Sequence, residues 1–218
     1  TISQFGFMVV VLGVGAYTAA MFYFMIHAFF KVLLFFGSGS VIHAMGGEQD
    51  MCFMGGLKDK IKIIHITFLI GTFAIAGMPL FSGMISKDEI MVAEWAKNRV
   101  FWVILFLIAA MTAAYMFRLY YLTFHGQFRG TEEQKHHLHE SPLNMTVPLM
   151  VLAVLSVVGG FINLPHIIGH GHYSKLQKWL SPVLVENAKS QLEANLKGVS
   201  VSTEYILIAV TVAMFFAV

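Results

Sequence analysis

The composition of this 218-residue chain is unusually apolar: 57% of the residues are hydrophobic and only 12% are charged. An ordinary soluble domain carries roughly 25% charged residues, so a water-soluble globule is excluded. The 14 Lys and Arg nearly cancel the 12 Asp and Glu, and no positive excess remains for binding a nucleic-acid backbone. The single cysteine, Cys52, excludes a disulfide framework and an iron–sulfur cluster held by this chain alone.

Six long apolar runs predict membrane-spanning helices. A helix needs roughly 20 mostly apolar residues to cross the hydrocarbon core, and continuous runs indicate helices rather than the short alternating strands of a barrel. The predicted spans are residues 5–22, 24–44, 63–93, 100–124, 147–162 and 205–218. They predict an all-α, polytopic membrane helix bundle. Because the chain begins without Met or a signal peptide and the sixth run is short, we expect an internal piece of a longer protein, truncated at its C-terminus.

The third run is too long for one straight span, and we expect it to form one discontinuous transmembrane helix. It contains Gly77, Pro79 and Gly83, and proline interrupts the hydrogen bonds of a helix. Lys87 and Asp88 follow the break, and broken helices at membrane depth mark ion paths in transporters. The alternative is that the helix has already reached the surface there, which would make the charges a solvated run.

A polar column is predicted on the second span. Tyr23, His27 and Lys31 are spaced four residues apart, which places them on one helix face. Ionisable groups at bilayer depth are costly and need a partner, a watery cavity or a function. A lysine and a histidine close together in a dry bundle have the chemistry of a proton relay. The alternative is that Lys31 snorkels to the interface or pairs with a fixed carboxylate.

Other polar residues have simpler expected roles. Arg118 lies near its helix end, where it either snorkels or pairs with Asp88 or Glu89. His43 and His65 lie near span ends and are expected at the interface. The loop histidines have poor spacing for a metal site, and we expect no metal; they are His136, His137, His139, His166, His170 and His172. For residues 174–197, a surface amphipathic helix and a loose loop both remain open.

Several motifs in one order closely resemble the L-subunit family of respiratory complex I, the antiporter-like family whose mitochondrial counterpart is chain 5 of NADH dehydrogenase. The resemblance covers most of residues 1–126 and is weaker beyond Gly126. The motifs are His27-Ala-Phe-Phe-Lys31, Phe36-Gly-Ser-Gly-Ser-Val-Ile-His43, Gly47-Glu-Gln-Asp50, Met54-Gly-Gly-Leu57, Ala76-Gly-Met-Pro79, Phe81-Ser-Gly83 and Ser86-Lys-Asp-Glu-Ile90.

The resemblance implies a proton pump without redox chemistry in this chain. By resemblance, Lys31 is the central lysine of a half-channel, His27 its relay histidine, and Lys87 with Asp88 the terminal pair at the broken helix. Tyr23 stands where the family often has a second histidine, and its phenol can still hold a water chain. Glu89, Arg118 and His43 are supporting candidates, which act beside these relay residues.

The same resemblance implies the organisation and the partners. Residues 1–126 correspond to the second half-channel, and residues 127–218 to additional transmembrane helices with a long polar loop. No cofactor is expected in this chain; flavin mononucleotide, iron–sulfur clusters and quinone belong to partner subunits. The expected partners are other membrane subunits and the lipid bilayer, without nucleic acid, in a bacterial plasma membrane or, alternatively, the mitochondrial inner membrane.

Two other functions remain open. The first is the large subunit of a multi-subunit sodium/proton antiporter, which shares the His27 to Lys31 motif and a lysine after the broken helix. The second is a passive membrane scaffold, in which Lys31 and Lys87 are structural only. Copurification with redox subunits and neutralisation of the two lysines would separate these readings.

Overall fold

The computed structural model describes residues 1–163, 175–180, 182–183 and 200–217, and within these ranges the regular structure is entirely helical. Three short 3₁₀ segments, Met51–Phe53, Leu57–Asp59 and Gly159–Ile162, supplement the α-helices. The predicted all-α class is therefore confirmed. The α-helices are α1 Ile2–Gly13, α2 Tyr17–Ala44, α3 Lys62–Ala76, α4 Ser82–Lys97, α5 Arg99–Phe124, α6 Glu132–His137, α7 Leu143–Val158, α8 Lys175–Leu180 and α9 Val201–Ala217.

Three helical segments in the described ranges are long and apolar enough to cross a membrane. They are Tyr17–Ala44, Arg99–Phe124 and Leu143–Ile162, the last combining α7 with the 3₁₀ turn that follows it. Shorter apolar helices cover Ile2–Gly13, Lys62–Ala76 and Ser202–Ala217. The prediction of a polytopic membrane bundle is confirmed. Of residues 174–197, only the short helix α8 and residues 182–183 are described, so the question of an amphipathic helix there falls outside the described residues.

The boundary between the first two spans differs from the expectation. The apolar pattern placed it near Tyr23, whereas the structure ends α1 at Gly13 and begins α2 at Tyr17. Gly15 has a φ of +84°, a conformation that glycine adopts without strain. Because the turn is as apolar as its flanks, hydropathy could not reveal it. As a result, Tyr23 lies inside α2 and Lys31 lies near its middle.

The third span is discontinuous, as predicted. Helix α3 ends where Gly77 adopts a φ of +87° and caps it by donating its N–H to the carbonyl of Phe73. Residues 77–81 are non-helical, and α4 begins at Ser82. Pro79 accounts for the interruption, since it lacks an N–H and disfavours helical geometry in the residue before it.

Two glycines let the backbones pack closely around this break. A Cβ atom on Gly83 would lie 1.8 Å from the carbonyl oxygen of Ala74, and one on Gly160 would lie 2.7 Å from the Cα atom of Ser82. Both distances are far below van der Waals contact, so these positions require glycine. Helix α2 packs against α1, α3, α4 and α7, so the helix that carries the polar column contacts both halves of the discontinuous span.

The loop between α2 and α3 is held by polar contacts. The Asp50 carboxylate accepts a hydrogen bond from the N–H of Cys52 at 2.8 Å, which lowers the pKa of Asp50. Arg129 donates to the carbonyl oxygens of Cys52 at 2.8 Å and Met51 at 3.1 Å, and also to Leu122 at 2.7 Å. This arginine therefore ties the loop to the end of α5.

Candidate functional site

The predicted polar column is present on α2. Tyr23 and His27 are buried, their ring centroids lie 6.2 Å apart, and Lys31 is half-buried one turn further along. Lys31 forms no salt bridge with any residue in the described part of the chain. The column therefore places two buried aromatic rings that can exchange protons next to the Lys31 ammonium. No carboxylate among the described residues forms a salt bridge with this ammonium.

Tyr23 connects this column to two other helices. Its hydroxyl donates to the Oε1 atom of Gln4 on α1, and the Nε2 atom of Gln4 donates to Thr112 Oγ1 on α5 at 3.4 Å. Thr112 in turn donates to the carbonyl of Ile108 at 2.8 Å. All three linked side chains are buried. Sequence reasoning missed Gln4 and Thr112; the signal for Gln4 was an amide placed directly before the first apolar run.

His27 has a ring nitrogen available for a further contact. Its Nε2 atom is buried and has no hydrogen-bond partner among the described residues. The ring packs between the rings of Phe5 and Phe30, with centroid distances of 5.9 and 5.3 Å. Since a buried polar atom is normally hydrogen-bonded, water or the neighbouring Lys31 is the natural partner for this nitrogen.

Lys87 lies where the discontinuous helix creates an acceptor for it. The side chain is only 5% exposed, and its ammonium donates to the carbonyl oxygen of Ile75, next to the C-terminus of α3. The last carbonyls of a helix have no intrahelical partner and carry the negative end of the helix dipole. The break thus stabilises a buried cation without a fixed carboxylate.

The two acids after Lys87 have neutral partners. Thr211 on α9 donates to Asp88 Oδ1 at 3.0 Å, and Asn163 donates to Glu89 Oε2 at 3.1 Å. Asp88 is 7% exposed, so the alternative of a solvated charge run after the break is excluded. The sequence offered no signal for Thr211 and Asn163, because both are more than 70 residues away in the chain.

Two of the three supporting candidates, Arg118 and His43, lie apart from this centre, whereas Glu89 follows Asp88 on α4. Arg118 is exposed and forms no salt bridge with Asp88 or Glu89, which agrees with snorkelling towards an interface. His43 is exposed near the end of α2, with its ring centroid 6.1 Å from that of His139. Neither residue forms a salt bridge in the described part of the chain.

His65 belongs to the first turn of α3 and packs against Tyr120 of α5. Its Nε2 atom lies 2.6 Å from the hydroxyl oxygen of Tyr120.

No group of three or more His, Cys, Asp or Glu suited to a metal ion occurs among the described residues. His166, His170 and His172 lie outside those residues.

A small cavity adjoins Lys87 and Asp88. Its volume is about 20 Å³, which exceeds the roughly 10–15 Å³ that one water molecule needs. Phe7 also lines it. The Phe7 ring lies 6.0 Å from the Lys87 ammonium and 6.1 Å from the Tyr23 ring. Phe7 therefore separates the polar column of α2 from the charged pair of α4.

The fold and the buried ionisable groups define a polytopic helical membrane protein with a discontinuous helix, a class built to hold charge at membrane depth. Residues 1–113 match the family described as NADH:quinone oxidoreductase/Mrp antiporter, TM. The chain belongs to this family.

Individual relatives show which type of subunit within this family the chain resembles. The chain is 49% identical over 191 residues to NAD(P)H-quinone oxidoreductase chain 5 of a Picosynechococcus strain, an alignment covering 76% of this chain and 29% of that protein. It is 45% identical over 174 residues to NADH-quinone oxidoreductase subunit L of Rhodobacter capsulatus, covering 74% and 24%. The resemblance to L-type and chain 5-type subunits predicted from the sequence is confirmed, and the chain spans about a quarter to a third of the length of these relatives.

A solved structure shares the fold. A chain of the membrane-bound sulfane sulfur reductase, an archaeal respiratory membrane complex, superposes with a TM-score of 0.68 at 27% identity. The match covers 73% of this chain and 26% of that chain.

Proposed function

We propose that this chain translocates protons as part of a membrane subunit of an NADH:quinone oxidoreductase. Residues 1–126 form the second half-channel, and residues 127–218 add transmembrane helices beyond it. The names of the relatives support the enzyme class. The observation that carries the proposal is the buried ammonium of Lys87, which is held by a backbone carbonyl beside a cavity large enough for water.

The relay begins with Lys31 and His27. Lys31 gives a proton through water to the Nε2 atom of His27, which has no other partner among the described groups. Tyr23, hydrogen-bonded to Gln4, holds the water chain beside the histidine. A shift of nearby charge changes the proton affinity of Lys31 by electrostatics alone, so the coupling needs no covalent chemistry in this chain.

The relay ends at Lys87 and Asp88. The proton passes from the column around Phe7, across a distance that water must bridge, to the Lys87 amine. Because the Ile75 carbonyl is a neutral acceptor, it does not fix the ammonium as a carboxylate would, and Lys87 can lose its proton again. Asp88, hydrogen-bonded to Thr211, supplies the negative charge that stabilises the protonated state.

The redox groups belong to other subunits under this proposal. Flavin mononucleotide, iron–sulfur clusters and quinone bind to partner chains, and this chain contacts other membrane subunits and lipid. A bacterial membrane is the proposed location, and the two relatives described above are bacterial.

The test is the proton-to-electron ratio of the assembled complex in vesicles. Lys31→Ala and Lys87→Ala are each expected to lower the ratio while quinone reduction continues. Lys62→Ala is the matched control, because Lys62 is an exposed lysine at the start of α3, and it is expected to leave the ratio unchanged. An unchanged ratio at full quinone reductase rate in both relay variants would reject the relay and favour a passive scaffold.

A sodium/proton antiporter subunit is the second candidate, because the family description also includes the Mrp antiporters. It predicts a purified assembly without flavin absorbance or iron–sulfur signals, and ion exchange that depends on sodium. Our proposal predicts copurification with redox subunits and proton transport in sodium-free buffer.

A further inference from the structure

We infer that Glu94 is a further proton carrier, positioned between Lys87 and the membrane surface at the end of α4. The inference rests on the proposed function, since it extends the same proton path beyond Lys87. Neither the sequence motifs nor the contacts around Lys87 and Asp88 include this residue.

The first observation is the burial of Glu94. Its side chain is 0% exposed, and neither carboxyl oxygen has a hydrogen-bond partner among the described residues. Two cations lie nearby in sequence, yet neither forms a salt bridge with it: Lys97 is exposed, and Arg99 stacks over the ring of Trp95 at 4.9 Å. A charge in a dry site without a partner is prohibitively costly. The Glu94 carboxyl therefore carries a proton, or water reaches it.

The second observation is the position of Glu94 on α4. Lys87, Met91 and Glu94 lie on one face of the helix, with Lys87 and Glu94 about 20° apart around the axis and about 10 Å apart along it. Met91 is buried and lines the cavity beside Lys87 and Asp88. Because helical side chains lean towards the N-terminus, the Glu94 side chain leans towards the turn that carries Met91, the last residue of α4 to line the cavity.

The third observation is the nearness of the surface. Helix α4 ends at Lys97, which is exposed, only one turn after Glu94. Along this face the order is therefore a buried amine beside a cavity able to hold water, a buried carboxyl one turn beyond the cavity's last residue on α4, and the exposed helix end. In such a series, Glu94 can hold a proton on its way between Lys87 and the aqueous phase at the end of α4.

The proposed step balances without another reactant. The Glu94 carboxyl, protonated at rest, first releases its proton to water at the end of α4 and becomes a transient carboxylate. An N–H bond of the Lys87 ammonium then breaks and an O–H bond forms on that carboxylate through intervening water, which leaves a neutral amine and restores the neutral carboxyl. For transport in the opposite sense, the same steps run in reverse.

The experiment compares Glu94→Gln, Lys87→Ala and the double variant in the assembled complex in vesicles, with proton transport and quinone reduction measured together. If both residues serve one path, all three give the same lowered proton-to-electron ratio, because removing a second station from an interrupted path adds nothing. Glu133→Gln is the matched control, since Glu133 is exposed, and it is expected to keep the native ratio.

A second variant covers the case in which a buried Gln prevents assembly. Glu94→Met removes the carboxyl without leaving polar atoms unpaired, and it is expected to assemble with the lowered ratio, whereas Glu94→Asp is expected to retain part of the transport. A native ratio in either assembled Gln or Met variant overturns the inference. If Lys87→Ala lowers the ratio and the Glu94 variants do not, the inference alone fails; a native ratio in both Lys31→Ala and Lys87→Ala would instead reject the proposed function.

Discussion

Lys87 uses an acceptor that Pro79 leaves free. The helical partner of the Ile75 carbonyl would be the N–H of residue 79, but proline has no N–H, and the carbonyl accepts from the Lys87 ammonium instead. The sequence predicted a break beside charges, because Pro79 and the charged motif are both visible in it. It could not predict the acceptor, since that depends on how α4 folds back against the end of α3.

At the same scale, Tyr23→Phe tests the link between the column and α1. The substitution removes the hydroxyl that donates to Gln4, and leaving a buried acceptor unsatisfied costs about 1–3 kcal/mol. We expect a lower thermal stability of the assembled complex and slower proton transport. Tyr23→His, which restores a ring nitrogen, is expected to transport faster than Tyr23→Phe.

Tyr121→Phe is the control for that comparison, because Tyr121 is a tyrosine with an exposed side chain on α5. Its loss of a hydroxyl is expected to change neither the melting temperature nor the transport rate. If Tyr23→Phe behaved like this control, the hydrogen bond to Gln4 would have no part in the relay.

The residues of the polar column were predictable and their partners were not. Tyr23, His27 and Lys31 share a helix face because they are spaced four residues apart, and this spacing is visible in the sequence. Gln4 and Thr112 reach the column from other helices, and Thr112 lies 108 residues from Gln4 in the chain. Such contacts follow from the packing of α1 against α2 and α5. A single sequence carries no local signal for that packing.

At the scale of elements, the discontinuous span depends on a close approach of two backbones. Gly83→Ala would place a methyl group 1.8 Å from the Ala74 carbonyl oxygen, so the backbone must move. Overpacking of this kind typically costs about 1–3 kcal/mol or more. We expect a reduced yield of assembled complex and a lower melting temperature.

Gly39→Ala provides the comparison for Gly83→Ala. Gly39 lies within α2, and a Cβ atom there meets nothing within 4 Å. Alanine is favoured over glycine inside a helix by roughly 0.5–1 kcal/mol, so this variant is expected to be at least as stable as the native chain. Equal melting temperatures for the two variants would contradict the close approach at the break.

Helix α1 separates the two polar centres, and Phe7→Ala tests that role. Removing the buried ring would widen the passage between the cavity beside Lys87 and the surroundings of Tyr23, at a cost of about 3–5 kcal/mol. We expect vesicles holding the variant complex to lose an imposed proton gradient faster. Phe7→Leu keeps an apolar barrier and is expected to remain as tight as Phe36→Ala, a control at an exposed ring of α2.

At the scale of the whole molecule, the amount of apolar surface determined how much of the fold was predictable. The long spans α5 and α7 were located within a few residues, because continuous apolar runs of that length have one stable form in lipid. The turn at Gly15 escaped prediction, because it is as apolar as the helices it joins. Hydropathy therefore located the membrane segments and missed a boundary inside one of them.

The exposed apolar surface predicts how the chain partitions between the membrane and the aqueous fraction. Many large apolar side chains are exposed on α5, among them Val100, Leu107 and Met111, and they require lipid or partner helices. We expect alkaline carbonate to leave the chain in the membrane pellet and detergent to extract it. Release by carbonate alone would contradict an integral membrane bundle.

The central claim is that Lys31 and Lys87 are joined by a route for protons. The most direct measurement is a structure of the assembled complex at a resolution that shows ordered water. We predict water molecules linking the Lys31 ammonium to His27 and continuing past Tyr23 and Phe7 to Lys87. An ammonium of Lys31 bound to a carboxylate and sealed from any water would contradict the account.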